Sequence, residues 1–329
     1  MPAIATQPGP VGIYTYFAPQ APAAAPTELR TKFKHPGHPE PHNCFLTLSQ
    51  TDQRVSAASG GTFFFGLHHY TARVACEILT GNISRNGFFA LDRNGVSAVE
   101  TGWEDLLTEA EYYYIIPGYP SYPIVASFQD WIFPHEDLDS IWPEEPILRV
   151  HRTPYVCNFT GTPLCERALL VPIAEEPWYG INRMESTIGF SHQQDLNSPM
   201  RDDANVIHLR PDLIIPFRRA SFAIVPKSTP YGMRYVMTVL LNHPSGAWST
   251  FNGRVAHRFT NGSKHHLFAR FAWAIFEHAN PWIGLGIWRV VLRRFRDPAT
   301  ESWLYRREFI QLIIPGHSTL THNQQETGR

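Results

Sequence analysis

Cys157-Asn158-Phe159-Thr160-Gly161, Ala168-Leu169-Leu170-Val171-Pro172, Trp178-Tyr179, the run Asp203-Ala204-Asn205-Val206-Ile207-His208-Leu209-Arg210-Pro211-Asp212-Leu213-Ile214-Ile215-Pro216-Phe217, and Phe222-Ala223-Ile224-Val225-Pro226-Lys227 follow one another between residues 157 and 227. Apolar side chains hold Leu169 and Ile214, which can neither take up a proton nor coordinate a cation. A polar set, Asn205, His208, Arg210, Asp212 and Arg218, lies among them, with Trp178 and Tyr179 upstream. Pro216 removes a backbone donor inside what should be a short helix.

This series resembles the HNH-nuclease-like domain found in many fungal proteins. There a Cys-x-x-Thr-Gly segment leads to Ala-His-(Ile/Leu)-Val-Pro, a Trp, an Asn before a Leu-rich run, Asp-Leu-His-x-x-Phe-Asp and Phe-x-x-Val-Pro-Lys. The family's first His falls on Leu169, its second on Ile214, and its Asp after Phe on Arg218. An HNH nuclease uses one imidazole to activate water and another to hold the divalent metal that stabilises the leaving oxygen. Asn205 and Asp212 stand at family positions, but without the histidines they do not make a metal site. Leu267-Phe268-Ala269-Arg270-Phe271-Ala272-Trp273 resembles the family's Leu-Phe-Ala-Arg-Phe-Ala-Trp helix. The resemblance covers about 120 residues in the middle and later chain; the first 150 residues carry no comparable match. It implies a mixed α+β fold, a single domain around a ββα unit with additional strands and a helix buried in the C-terminal half.

Composition bears on partners. With 28 basic and 29 acidic residues the net charge is −1, so no global field draws the chain to phosphate. Arg289, Arg293, Arg294, Arg296, Arg306 and Arg307 form a local basic cluster, read as the solvent face of a strand pair or as a nucleic-acid footprint. Charged residues make up 17% against the usual quarter or so, and aromatics reach 13%, material for a large core and an apolar pocket. Cys44, Cys76, Cys157 and Cys165 show no metal or disulfide spacing, the pattern of a reduced intracellular chain. No secretory signal or run of eighteen apolar residues is evident. The expectation is a cytoplasmic protein with no membrane partner.

Residues 1–41 hold nine prolines and read as a flexible leader, with a single folded domain over 42–316, the family centre at about 155–228, and a flexible tail over 317–329. Within the leader, His35, His38 and His42 are either polar residues of a loose segment or metal-spaced imidazoles. Phe45-Leu46-Thr47-Leu48 and Thr62 to Leu67 read as strands. Asn261-Gly262-Ser263 reads as turn and N-cap before the helix at Leu267 to Phe276. Ile287 to Leu292 and Trp303 to Ile314 read as two strands joined around Asp297-Pro298. Between Gly102 and Trp142 runs a belt of ten rings, including Trp103, Tyr112, Tyr113, Tyr114, Phe128 and Trp131. It reads as core packing or as the wall of an apolar pocket. Three consecutive tyrosines on a strand must alternate faces, so at least one hydroxyl should leave the core. His68-His69 and His265-His266 read as structural or exposed pairs.

There is no Gly-x-Ser-x-Gly elbow, phosphate loop, dinucleotide fingerprint or His-Glu-x-x-His. Two functional expectations follow from a metal-site frame refilled with apolar side chains. In the first, the protein is a cofactor-independent cyclase or isomerase of fungal terpenoid or polyketide biosynthesis, of the Diels-Alderase type, acting on an apolar small molecule. Arg218 and His208 then donate hydrogen bonds and Tyr179 orients the substrate, while Trp178, Asn205, Asp212, Leu169 and Ile214 line its site. In the second, it is a catalytically dead interaction module. Metal-dependent cleavage of nucleic acid is the least favoured activity, and neither metal nor cofactor is expected.

Overall fold

A computed structural model describes residues 29–56, 62–82, 86–143, 156–187, 199–229, 232–241, 250–256, 259 and 263–313. The first strands are β1 (Arg30–Lys34), β2 (Cys44–Ser49), β3 (Asp52–Ser56) and β4 (Thr62–His68), and β4 runs straight into α1 (His69–Leu79). Short strands follow: β5 (Phe88–Ala90), β6 (Leu106–Leu107), β7 (Glu111–Ile115) and β8 (Ile124–Val125), then α2 (Leu138–Ile141). The middle of the chain supplies β9 (Glu166–Leu169), α3 (Glu176–Ile181), β10 (Val206–Leu209), α4 (Pro211–Arg218), β11 (Phe222–Thr229) and β12 (Gly232–Val239). The last elements are α5 (Ser263–Ile283), β13 (Leu285–Arg296) and β14 (Trp303–Ile313).

The architecture is mixed α+β, with several small open sheets around one long helix. The largest sheet has the order β2-β1-β7-β5; β1 is antiparallel to β2 and parallel to β7. β8 adds in parallel to the β13–β14 hairpin. α5 is apolar around most of its circumference, as befits a helix wrapped by other elements rather than lying on a surface. It packs on β2, β11 and α1, so one apolar cluster joins Phe33 and Phe45 near the start of the chain to Phe276 and Leu292 near its end.

The strands at Phe45–Leu48 and Thr62–Leu67, the helix at Leu267–Phe276 and the C-terminal strand pair stand where the sequence puts them, the helix extended to Ser263 and Ile283. Asn261 and Gly262, residues 1–28 and the tail from 317 lie outside the described residues. The boundary at residue 41 moves. Within the expected leader, β1 lies between β2 and β7, with Thr31 and Phe33 fully buried. The alternation of Thr31 and Phe33 with charged neighbours is only five residues long and sits among prolines, which hides its period.

The aromatic belt belongs mainly to the core. Trp131 stacks on Trp178 at 5.7 Å and meets Phe268 edge-on, while Trp142 lies against Phe268 and Phe271 of α5. Of the three tyrosines, Tyr112 and Tyr114 point inward and Tyr113 outward, as strand alternation requires.

Candidate functional site

β9 and β10 pair antiparallel, with Leu169 opposite Val206 and Arg167 opposite His208, and α4 follows β10 after Arg210. One hairpin face, Ala168, Leu170, Ile207 and Leu209, is buried in the core. The other carries Leu169 and His208, both half-buried. Pro211 starts α4 at a position where a missing N–H costs nothing. Pro216 lies one turn later, and the carbonyl it leaves without an amide is that of Asp212 on the exposed side. Ile214 is buried beneath the helix. Among the described residues no three His, Cys, Asp or Glu side chains converge as metal ligands.

The residues chosen from sequence do not converge as one set. Arg218 is exposed in the last turn of α4 and makes no hydrogen bond or ion pair among the described residues. His208 is held by its backbone: its N–H donates to Asn158 Oδ1 and its carbonyl accepts from the Asn158 N–H, each at 2.8 Å. Burial, with the charge of Arg167, pushes its imidazole below the ordinary value. Asn205 is fully buried and engaged: Oδ1 accepts from the Val171 N–H at 2.8 Å and Nδ2 donates to the Met200 carbonyl at 2.8 Å. It ties β9 to the turn before β10, and that engagement argues against a substrate-binding amide. Asp212 forms an exposed pair with Arg210, both oxygens accepting, at 3.0 and 2.9 Å. Trp178 is a core residue whose indole N–H donates to the Trp131 carbonyl at 2.7 Å.

Tyr179 is different. α3 presents Trp178 and Tyr179 inward on successive positions, and the Tyr179 hydroxyl lies 2.9 Å from His266 Nε2, both residues withdrawn from solvent. Burial raises the phenol, and the nearby carboxylates of Asp202 and Glu185 raise it further, so it stays protonated at neutral pH. Asp202 is itself buried. Its Oδ1 caps the turn at Asp203–Asn205 by accepting from the Ala204 N–H at 2.8 Å, while Oδ2 has no hydrogen-bond partner among the described residues. A phenol and an imidazole thus meet where water is excluded, and the charge of the buried Asp202 carboxylate acts on the phenol without bonding to it. Such a group can give and take protons without a metal.

His266 and Asp202 escape sequence reasoning. His266 is 87 residues from Tyr179 and reads as half of a His-His pair, and nothing in the spacing of Asp202 marks it. The basic cluster also divides: Arg289 is buried, Arg293 pairs with Asp130 at 2.7 Å, and Arg306 pairs with Glu308 at 2.5 Å. No helix among the described residues is long and apolar enough to cross a membrane. Compared with protein-family models, with curated proteins and with solved structures, the chain matches none.

Proposed function

We propose that the protein is a metal-independent, cofactor-independent isomerase or cyclase acting on an apolar small molecule, with Tyr179, His266 and Asp202 as its acid–base group. The observation that carries the reading is the buried Tyr179–His266 hydrogen bond, with the charge of the buried Asp202 carboxylate acting on the phenol. Isomerisation and ring closure conserve atoms. The Tyr179 oxygen takes a substrate proton as the phenol's own proton moves to His266 Nε2, and the reverse transfer returns a proton to another carbon, so the pair is restored and no co-reactant is required. In a cycloaddition the Tyr179 hydroxyl serves instead as a donor polarising a substrate carbonyl, with the low dielectric strengthening the contact. The ββα order of β9, β10 and α4 supports descent from an HNH-like frame in which Leu169 and Ile214 replaced the histidines. Substrates of the fungal terpenoid or polyketide kind fit a low-charge chain of this sort.

A second reading, a silent interaction module, rests on the exposed apolar face of the β13–β14 hairpin, where Trp288 stacks on Phe309 at 5.2 Å and both are more than half exposed. The experiment that separates the two is a mass-spectrometric metabolite profile of the source organism with and without the gene. Loss of one compound with accumulation of an isomer of equal mass supports the enzyme. An unchanged profile overturns it and leaves the interaction module.

A further inference from the structure

Arg289, on β13, is the least satisfied cation among the described residues. Its side chain is 2% exposed, and its guanidinium lies 3.8 Å from the centre of the Trp282 ring. Nη1 and Nη2 are both buried and have no acceptor among the described residues, where the side chain's one hydrogen bond, from Nε to the Ile287 carbonyl, is long at 3.4 Å. Burial alone pushes this group down to about 10, with no carboxylate opposing it. A desolvated guanidinium without a counter-anion is costly and needs a cause.

Among the described residues the surroundings add one further cation, Arg93, and two histidines whose imidazoles burial holds below the ordinary value. His35 is fully buried, and its two nitrogens are already engaged: Nδ1 accepts from the Gly37 N–H and Nε2 donates to the Tyr122 carbonyl, each at 2.9 Å. This fixes it as a neutral imidazole, which burial holds down at about 3. His38, half-buried, packs 4.7 Å from His35 and 5.4 Å edge-on to Trp282. Arg93 reaches the same segment from the loop after β5, its Nε donating to the Pro36 carbonyl at 2.5 Å. The charges that act on His35 and His38 come from Arg289 and Arg93, with His38 itself acting on His35, and none is a carboxylate. Glu40, the acid in the adjoining turn, pairs with Lys34 instead, at 2.7 Å.

From this geometry we propose that Arg289, His38 and Arg93 form a binding site for the carboxylate of a small organic acid, whose apolar body packs against Trp282, Tyr122 and Phe45. The two vacant amino groups of a guanidinium already fixed by stacking present a planar fork, which matches a carboxylate bidentately. The turn at 36–43 covers the site. It is held by the Trp282 indole donating to the His42 carbonyl at 2.7 Å and by the Arg93 contact, so admission of the acid requires this turn to lift. The site is distinct from the Tyr179–His266 pair: Trp282 and His266 are sixteen residues apart on α5, about 24 Å along a helix.

The test uses the full-length protein and sodium benzoate and sodium 3-phenylpropionate as probes, with benzyl alcohol and phenyl phosphate as comparators at matched ionic strength. Thermal stability and titration calorimetry are read together. The carboxylates should raise Tm saturably, as a ligand of the native state must, and benzyl alcohol should not. Arg289→Met should weaken binding by about ten- to a hundredfold, the range for a charge-assisted hydrogen bond, while remaining folded because it removes an uncompensated charge. Arg93→Gln, a change at an exposed side chain, should weaken binding while the free protein stays folded. The proposal is overturned if neither carboxylate acts saturably, if benzyl alcohol acts equally, or if Arg289→Met binds as well as the native chain. Tighter binding of phenyl phosphate than of benzoate would overturn the carboxylate assignment. Should Arg289→Met fail to fold, the benzoate–benzyl alcohol comparison and Arg93→Gln decide.

Discussion

Lys227 Nζ lies 2.5 Å from Asp52 Oδ1, although the residues are 175 positions apart and both side chains are almost wholly out of water. The second carboxylate oxygen accepts the His68 N–H at 2.9 Å, at the junction of β4 and α1. The pair thus fastens the start of β3 to β11 and sets the direction of α1. Removing one partner leaves a buried charge alone. Lys227→Met or Asp52→Asn should each cost about 3–5 kcal/mol, whereas Asp52→Leu with Lys227→Met together should cost much less. Urea unfolding of the three variants checks this, and equal losses for single and double replacements would contradict it.

Acid should unfold the protein in two stages. Burial pushes the Asp52 carboxyl up, but Lys227 and His68 outweigh it and hold it below the ordinary value. Its contribution is therefore present above about pH 4 and lost as pH falls further. The histidines act earlier. Burial lowers His35 to about 3, and His69 and His265 to about 4. The unfolded chain binds these protons first, near pH 6.5. Stability is then complete above that value and falls by about 1.4 kcal/mol per pH unit for each histidine as pH drops toward 4. Unfolding free energies at pH 7, 6 and 5 should decline accordingly, and His35→Gln should make the slope shallower. A flat profile over that range would be the contrary result.

Asn205 and Asp212 separate a structural amide from a surface carboxylate. Asn205→Ala strands the Val171 N–H and the Met200 carbonyl in the core, so a loss of roughly 2–4 kcal/mol is expected. Asp212→Ala breaks only an exposed pair with Arg210 and should change stability by less than about 1 kcal/mol. Calorimetric melting of the two variants side by side gives the comparison.

Arg218→Ala should be silent in stability, within about 0.5 kcal/mol, because the side chain is exposed. In a strain carrying the variant gene the metabolite profile should match the parent. A changed profile would return Arg218 to the site.

The sequence discloses the elements whose pattern is long or nearly pure. α5 is apolar at every position from Leu267 to Phe276 except Arg270, and β13 and β14 each exceed ten residues, so their periods survive local noise. β1 does not, because five residues among prolines carry too little alternation. Belt residues such as Trp131 and Trp142 are legible as aromatic but not as core, since that depends on their contact with α5 more than a hundred residues later. Of the candidate site, Tyr179 is legible through its neighbours in the motif. His266 becomes a partner of Tyr179 only through folding, and the exposure of Arg218 at the end of α4 is likewise set by packing that the motif does not carry.

The most direct measurement incubates the purified protein, in excess EDTA, with whichever compound accumulates when the gene is absent. The wild-type chain should convert it to a product of equal mass, and Tyr179→Phe, still folded, should slow that conversion by about a hundredfold or more, as the loss of a positioned acid–base group does. No conversion, conversion that EDTA abolishes, or full activity in Tyr179→Phe would contradict a metal-free acid–base site at Tyr179 and His266.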